Sequence, residues 1–318
     1  MIRPLFPNRI GVSGGNDHFE EEPSMKLSLI TFQRSLLIFL LLLVFSLFTG
    51  CSKDSATAPL NTDIPTANKD ISEAVAGSIA MDNGGIVDQL ADLAAIATES
   101  DSFTVAKLWA GSIGAPNYDS ATGTWRLQFT RERGESGGPF HAIFTRTYTY
   151  QYRNGNGEPQ RQWVVNSDTA CSIQFGILEG SGECRTLRIC KQLTNMNGSW
   201  LATGVNTDTI TISGTYECIG LDTLRSYQAV RAMQYQLNLM FTNIRCLRGK
   251  SVDFSRQVTG NMSGTFLANV AFMCGYSYGE TNIFRNMNIA MAEGDANITI
   301  GSERFMGDLA TGEPSADN

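Results

Sequence analysis

Histidine is nearly missing from this chain: its 318 residues include only His18 and His141. Few catalytic dyads or triads can be built on so little imidazole, and no CxxC pair is present to support a zinc site. Proline is also sparse, at 9, and charged residues make up 17%. That low charge, together with 31 glycines, argues against a coiled coil or long helical bundle and suits a turn-rich β protein. Lys and Arg number 24 against 31 Asp and Glu, a net charge of -7, and no basic block occurs. Nucleic-acid affinity comes largely from cations placed on phosphates, so no nucleic-acid partner is expected. The 42% hydrophobic content is ample for a core and excludes compositional disorder.

Residues 36–48 read LLIFLLLLVFSLF, too short for a membrane span, which needs about 20 apolar residues. Lys26 and Arg34 precede this run, as in the charged flank of a signal peptide, and Met25 stands ahead of both. Residues 1–24, with Glu20, Glu21 and Glu22, are then expected to be an upstream extension, and 25–50 the signal segment. The run ends in Phe48-Thr49-Gly50-Cys51, which resembles the lipobox of bacterial lipoprotein precursors. That resemblance implies a diacylglycerol on Cys51 and a membrane as partner through the N-terminal anchor. Phe48 departs from the usual Leu. Ser52 in place of Asp implies, by resemblance to Gram-negative lipoproteins, an address at the cell envelope, in the outer membrane. Two or more acyl chains anchor a protein firmly, so the folded part needs no span of its own.

Residues 51–69 are rich in Ser, Thr, Ala, Pro and Asn and read as a flexible tether. Helical spacing begins near Asp70 and is clearest in Ile86, Leu90, Leu93 and Ala97. Gly84-Gly85 should split the 70–99 segment into helices over about 70–82 and 85–98. From residue 100 to 318 the period changes to two, in runs such as TWRLQFTRER, FHAIFTRTYTYQYR, MQYQLNLMFTNIRCL and VDFSRQV. About a dozen strands joined by short polar turns, with no helices between them, predict a mainly β fold. The expectation is a large antiparallel meander, a curved sheet forming a half-barrel or sandwich, with one or two short N-terminal helices.

Besides Cys51 there are six cysteines between 171 and 318. An exported chain with an even number favours disulfides, although reduced core cysteines remain an alternative. A turn at Glu179–Gly182 would set Cys171 opposite Cys190. A loop centred on Gly260 would set Cys246 opposite Cys274. These are the preferred bridges, with Cys184 and Cys218 unassigned. Cys190, Cys218, Cys246 and Cys274 are each 28 residues apart, read as the length of a strand plus a turn.

GESGGP (134–139) resembles the segment carrying the nucleophile in chymotrypsin-type proteases. Here His141 lies just downstream on a strand, so Ser136 has no suitable base, and the segment reads as a hairpin loop. Arg131, Glu132, Arg133 and Glu135 beside it read as a solvated hairpin end. Trp125, Tyr148, Tyr150, Tyr152 and Trp163 alternate as core aromatics do. No catalytic residue, metal ligand or cofactor site is picked out.

The leading expectation is a lipid-anchored, non-enzymatic envelope domain with a structural or binding role, in the style of uncharacterised β-rich lipoproteins of Gram-negative bacteria. A hydrophobic ligand or an envelope protein is the partner class. The alternative is a carrier whose curved sheet broadly resembles half-barrel lipoprotein carriers, with an adaptable lining from Met233, Met240, Met262, Met273, Met287 and Met291. A third class, a carboxylate-based hydrolase, requires two carboxyl groups converging in a polar cleft.

Overall fold

The computed structural model describes residues 64–98, 115–225, 229–249, 253–274 and 277–314. Two helices come first, α1 (Ile64–Ile79) and α2 (Ile86–Ile96). Then come β1 (Asn117–Asp119), β2 (Thr124–Gly134), β3 (Phe140–Arg153), β4 (Pro159–Gln160), β5 (Val164–Val165) and β6 (Asp168–Thr169). The long strands are β7 (Ser172–Thr186), β8 (Ile189–Thr203), β9 (Thr209–Arg225), β10 (Ala229–Leu247), β11 (Thr259–Cys274) and β12 (Ser277–Ala292). A one-turn helix, α3 (Phe254–Gln257), precedes β11, and β13 (Asp295–Ile300) and β14 (Glu303–Asp308) close the order.

One 12-stranded antiparallel sheet runs β1-β2-β3-β7-β8-β9-β10-β11-β12-β13-β14, with β4 added beside β3 and β5–β6 forming a separate hairpin. It is the expected meander, and it stays open, with β1 and β14 as its ends. Short connections explain the topology, because neighbours in sequence can pair with no crossover.

Every residue of α2 is buried. A helix reaches that state only when packed on all sides, and its partners come from across the sheet. Arg131 of β2 and Arg146 of β3 bond it on one side, while Gly249, just past β10, donates to the Ala94 carbonyl. α1 likewise reaches Tyr235 of β10, Arg285 of β12 and Glu303 of β14. The sheet therefore wraps the helix pair. Its inward side chains form a contiguous core with Ile71, Val75, Ile86 and Leu90. An aromatic row crosses that core, Phe129–Tyr148–Phe175–Trp200–Phe241, with successive centroids 4.8–5.3 Å apart.

Several local expectations differ from the structure. α1 begins at Ile64, inside the stretch read as tether, with Pro65 in the first turn, where its missing N–H forfeits no hydrogen bond. VDFSRQV contains α3 instead of a strand: Phe254 and Val258 are both fully buried at a spacing of four, which a helical turn satisfies. Glu179–Gly182 is not a turn but part of β7. Gly182 is there for close approach, since a Cβ would lie 2.4 Å from the Phe144 ring. The bend falls instead at Leu187-Arg188. Gly260 belongs to β11, and the β10–β11 connection lies before it.

These shifts in register overturn both preferred disulfides. Cys190 pairs with Arg185, whereas the Cys171 carbonyl meets Gly204 beyond the far end of β8. Strand rise puts the two roughly 40 Å apart, and a bridge requires Cα atoms within about 7 Å. Cys246 pairs with Ile210 near one end of β10, and Cys274 with Ala229 at the other. Cys171, Cys184, Cys190, Cys218 and Cys246 are free thiols. The spacing of 28 does place Cys190, Cys218, Cys246 and Cys274 on four successive strands, β8 to β11.

Candidate functional site

The densest buried chemistry lies where α2 faces β2 and β3. Asp88 and Asp92, one helical turn apart, share a face of α2. Alternation on β2 turns Arg131 and Arg133 to the same side as Trp125, Leu127 and Phe129, and β3 supplies Arg146 and Tyr148. Arg146 Nη1 is 2.6 Å from Asp88 Oδ2, Arg133 Nη2 is 2.5 Å from Asp88 Oδ1, and Arg131 Nη2 is 2.6 Å from Asp92 Oδ1. The Tyr148 hydroxyl donates to Asp92 Oδ2 at 2.9 Å. Arg146 also donates to the Gly84 carbonyl, and Tyr152 to that of Ile96 at 2.8 Å, so both ends of α2 are tied to β3.

Burial alone would raise the Asp88 carboxyl, but Arg146, Arg131 and Arg133 overcome it and hold it at about 2. Burial wins at Asp92, whose carboxyl is raised against the pull of Arg131. With every carboxylate oxygen engaged, this network is a latch holding α2. Arg131 and Arg133 are consequently not the solvated hairpin end expected of them: their side chains are 16% and 23% exposed.

The remaining sequence-selected residues are dispersed. Cys51 and the apolar run before it lie outside the described residues, as does the side chain of Cys274. Ser136 sits in the β2–β3 hairpin turn, as expected of a loop. His141 Nε2 lies 2.9 Å from Glu132 Oε1 across that hairpin. Trp125, Tyr148, Tyr150 and Tyr152 are core residues, and Trp163 packs against the core under the Arg248 guanidinium, 4.9 Å from its ring. Met233, Met262, Met287 and Met291 point inward into packed core, while Met240 and Met273 are exposed. No helix among the described residues is long and apolar enough to cross a membrane.

A feature the sequence did not disclose lies on the outer face. Antiparallel register aligns Asn197, Glu217, Asn238, Thr265 and Asn286 in one row across β8 to β12. The next row is Ser199, Thr215, Met240, Ser263 and Asn288. On the other side run Gln236, Leu267 and Phe284. Glu217 is the one ionisable side chain in these rows. Its carboxylate accepts from Asn197 at 3.3 Å and from Gln236 at 2.7 Å. Grooves of about 440 and 330 Å³ cross this face and meet at Ser263. The outward side of β2, β3 and β7 differs, carrying Arg126, Glu132, Glu179 and Arg185.

No family model, no curated protein and no solved structure matches this chain.

Proposed function

We propose that this chain is a lipid-anchored cell-envelope protein, held at the outer membrane by an acylated Cys51, whose β domain has a binding role and no catalytic one. The near absence of charge from the three central rows of the outer face of β8 to β12, where Glu217 stands alone and Arg225, Arg245 and Glu280 lie towards the strand ends, carries the binding part of this reading. A solvated sheet face ordinarily mixes Lys and Glu with its polar residues. Here, amides and hydroxyls offer paired donors and acceptors that can meet an uncharged, hydroxyl-rich chain without stripping water from ions. Exposed Met240, Leu267 and Phe284 supply apolar platforms for the C–H faces of sugar rings. A neutral glycan is therefore the partner class that fits, presented by another envelope component. The carrier alternative would require α1 and α2 to leave the sheet's inner face, breaking the Asp88 and Asp92 latch.

The test uses the mature, detergent-solubilised protein on immobilised neutral polysaccharides. Retention reversed by soluble oligosaccharide, and lost in an Asn238→Lys/Thr265→Lys variant that melts like the parent, supports the reading. Passage through every matrix, or retention indifferent to the two lysines, removes it. Incorporation of labelled palmitate that disappears in Cys51→Ala tests the anchor separately.

A further inference from the structure

β13 is too short to cover its neighbour. It pairs with Met287–Ala292 of β12, so the leading part of that strand, residues 277–286, has β11 on one side and no strand on the other among the described residues. The two-residue turn Glu293-Gly294, with φ of 56° and 96°, closes on Ala292 and Asp295, whose backbone groups bond each other. Alternation from Ala292 then turns the N–H and C=O of Tyr278, Glu280, Asn282, Phe284 and Asn286 away from β11, towards the open edge. An edge of this length is ordinarily bulged or guarded by Lys or Pro. Here the pairing with β11 has no bulge, and neither residue type occurs between 277 and 286.

The side chains along this edge are complementary to themselves. A two-fold axis at Thr281 sets a second copy antiparallel, with residue 278 opposite 284 and 280 opposite 282. Tyr278 and Phe284, 65% and 56% exposed, then face each other twice, as aromatic cross-strand pairs that stabilise a sheet. Glu280 meets Asn282, also twice. Asn282 Oδ1 accepts from Asn269 at 3.2 Å, which leaves its Nδ2 hydrogens for the Glu280 carboxylate of the second copy. An axis at residue 280 would oppose two carboxylates, and one at 282 would set Glu280 against Phe284 and Tyr278 against Asn286. Arg285, the cation of this stretch, is turned inward, where its Nε donates to Asn68 Oδ1 at 2.9 Å. β13 begins to cover β12 only at Met287, beyond the paired stretch 277–285.

We infer that β12 pairs with β12 of a second copy of this chain across an axis at Thr281, joining the two sheets into one. About eight backbone hydrogen bonds form along residues 278–284, and an axis of this kind closes on a dimer instead of growing into a fibre. The outer row Gln236, Leu267, Phe284 runs on into Tyr278 and Met273 of the second copy. Neither the acyl anchor nor a glycan is needed for this pairing.

Sedimentation equilibrium of the mature protein, with Cys51→Ala so that no detergent is required, should show a concentration-dependent dimer. Asn282→Glu sets carboxylates against each other at two symmetric places and should weaken the dimer by about tenfold or more. Combining Glu280→Asn with Asn282→Glu exchanges the two positions, so each carboxylate again meets an amide, and should restore it. Thr281→Cys falls on the axis in a non-hydrogen-bonded pair, whose Cα spacing of about 4.5 Å admits a disulfide. Mild oxidation should then yield a peptide linked from 281 to 281. If Thr281→Cys fails to fold, the charge exchange still decides. A monomer at every concentration, a dimer indifferent to Asn282→Glu, an exchanged variant no tighter than the single one, or a folded Thr281→Cys that links only to another envelope protein or not at all overturns the inference.

Discussion

Arg146 Nη1 lies 2.6 Å from Asp88 Oδ2, and the two side chains are 0% and 1% exposed. A pair this deep is costly to form and more costly to break, because removing one partner strands the other charge without solvent. Asp88→Asn should therefore lower unfolding stability by about 3–5 kcal/mol in urea titrations. Replacing both partners with apolar residues, Asp88→Leu with Arg146→Met, should recover part of that loss. A double variant no better than the worse single one would show that the pair does not act as a unit.

Two buried carboxyls give stability opposite dependences on pH. Asp222, pushed up by burial against the pull of Lys191, titrates at about 6 instead of 3.8. The folded chain then holds a proton that the unfolded chain has lost, so this contribution falls as pH rises from 3.8 towards 6 and levels off above it. Asp88, held at about 2, contributes fully above 3.8 and loses its contribution as pH falls towards 2. Together they place a maximum near 3.8. Asp70, Asp82 and Asp92 are raised as well, so the informative measurement is a difference. Asp222→Asn should flatten the decline above 3.8 by up to about 3 kcal/mol and leave the acid limb unchanged. An identical slope in the variant would refute the assignment to Asp222.

The meander was legible because alternation and turn residues repeat along the second two thirds of the chain, and Gly84-Gly85 divides the helices where expected. Register was not. Gly180 and Gly182 look like turn residues in sequence, yet Gly182 lies beneath the Phe144 ring within β7, which displaced the Cys171–Cys190 pairing, and Gly260, read as a loop centre, lies within β11, which displaced Cys246–Cys274. Arg131 and Arg133 were read by charge, as solvent-facing. Their parity with Leu127 and Phe129 was the signal that they point inward, and the two aspartates on α2 were the matching signal. The outer rows could not be anticipated, because they depend on which residues of successive strands come opposite one another.

Thiol reactivity should divide the cysteines by burial. Burial raises Cys184 and Cys218 to about 11 and Cys246 to about 12, keeping them protonated and inert. Cys171 and Cys190 are half-buried. A maleimide pulse on native protein followed by peptide mass mapping should label Cys171 and Cys190 first, and the other three only after denaturation. Recovery of a peptide linking Cys171 to Cys190 would contradict the register of β7 and β8.

The aromatic row has a gap where β9 passes between β8 and β10, and Gly214 fills that gap with nothing. It pairs with Trp200 on one side and Phe241 on the other, whose rings meet at 5.2 Å across the strand. A Cβ there would lie 2.2 Å from the Ser199 carbonyl oxygen and 2.8 Å from Trp200 Cα, both backbone atoms that cannot swing away. The φ of 154° adds strain for an L side chain. Gly214→Ala should destabilise by about 1–3 kcal/mol through overpacking, with loss of near-ultraviolet dichroism as the Trp200–Phe241 contact opens. Gly301→Ala is the control: it shares a positive φ, 63°, but nothing lies within 4 Å of its Cβ, so only the conformational cost of about 1 kcal/mol remains and the aromatic signal should persist. Equal destabilisation in the two variants, with the dichroism intact in both, would mean that backbone conformation and not the close approach of Trp200 and Phe241 requires glycine at 214.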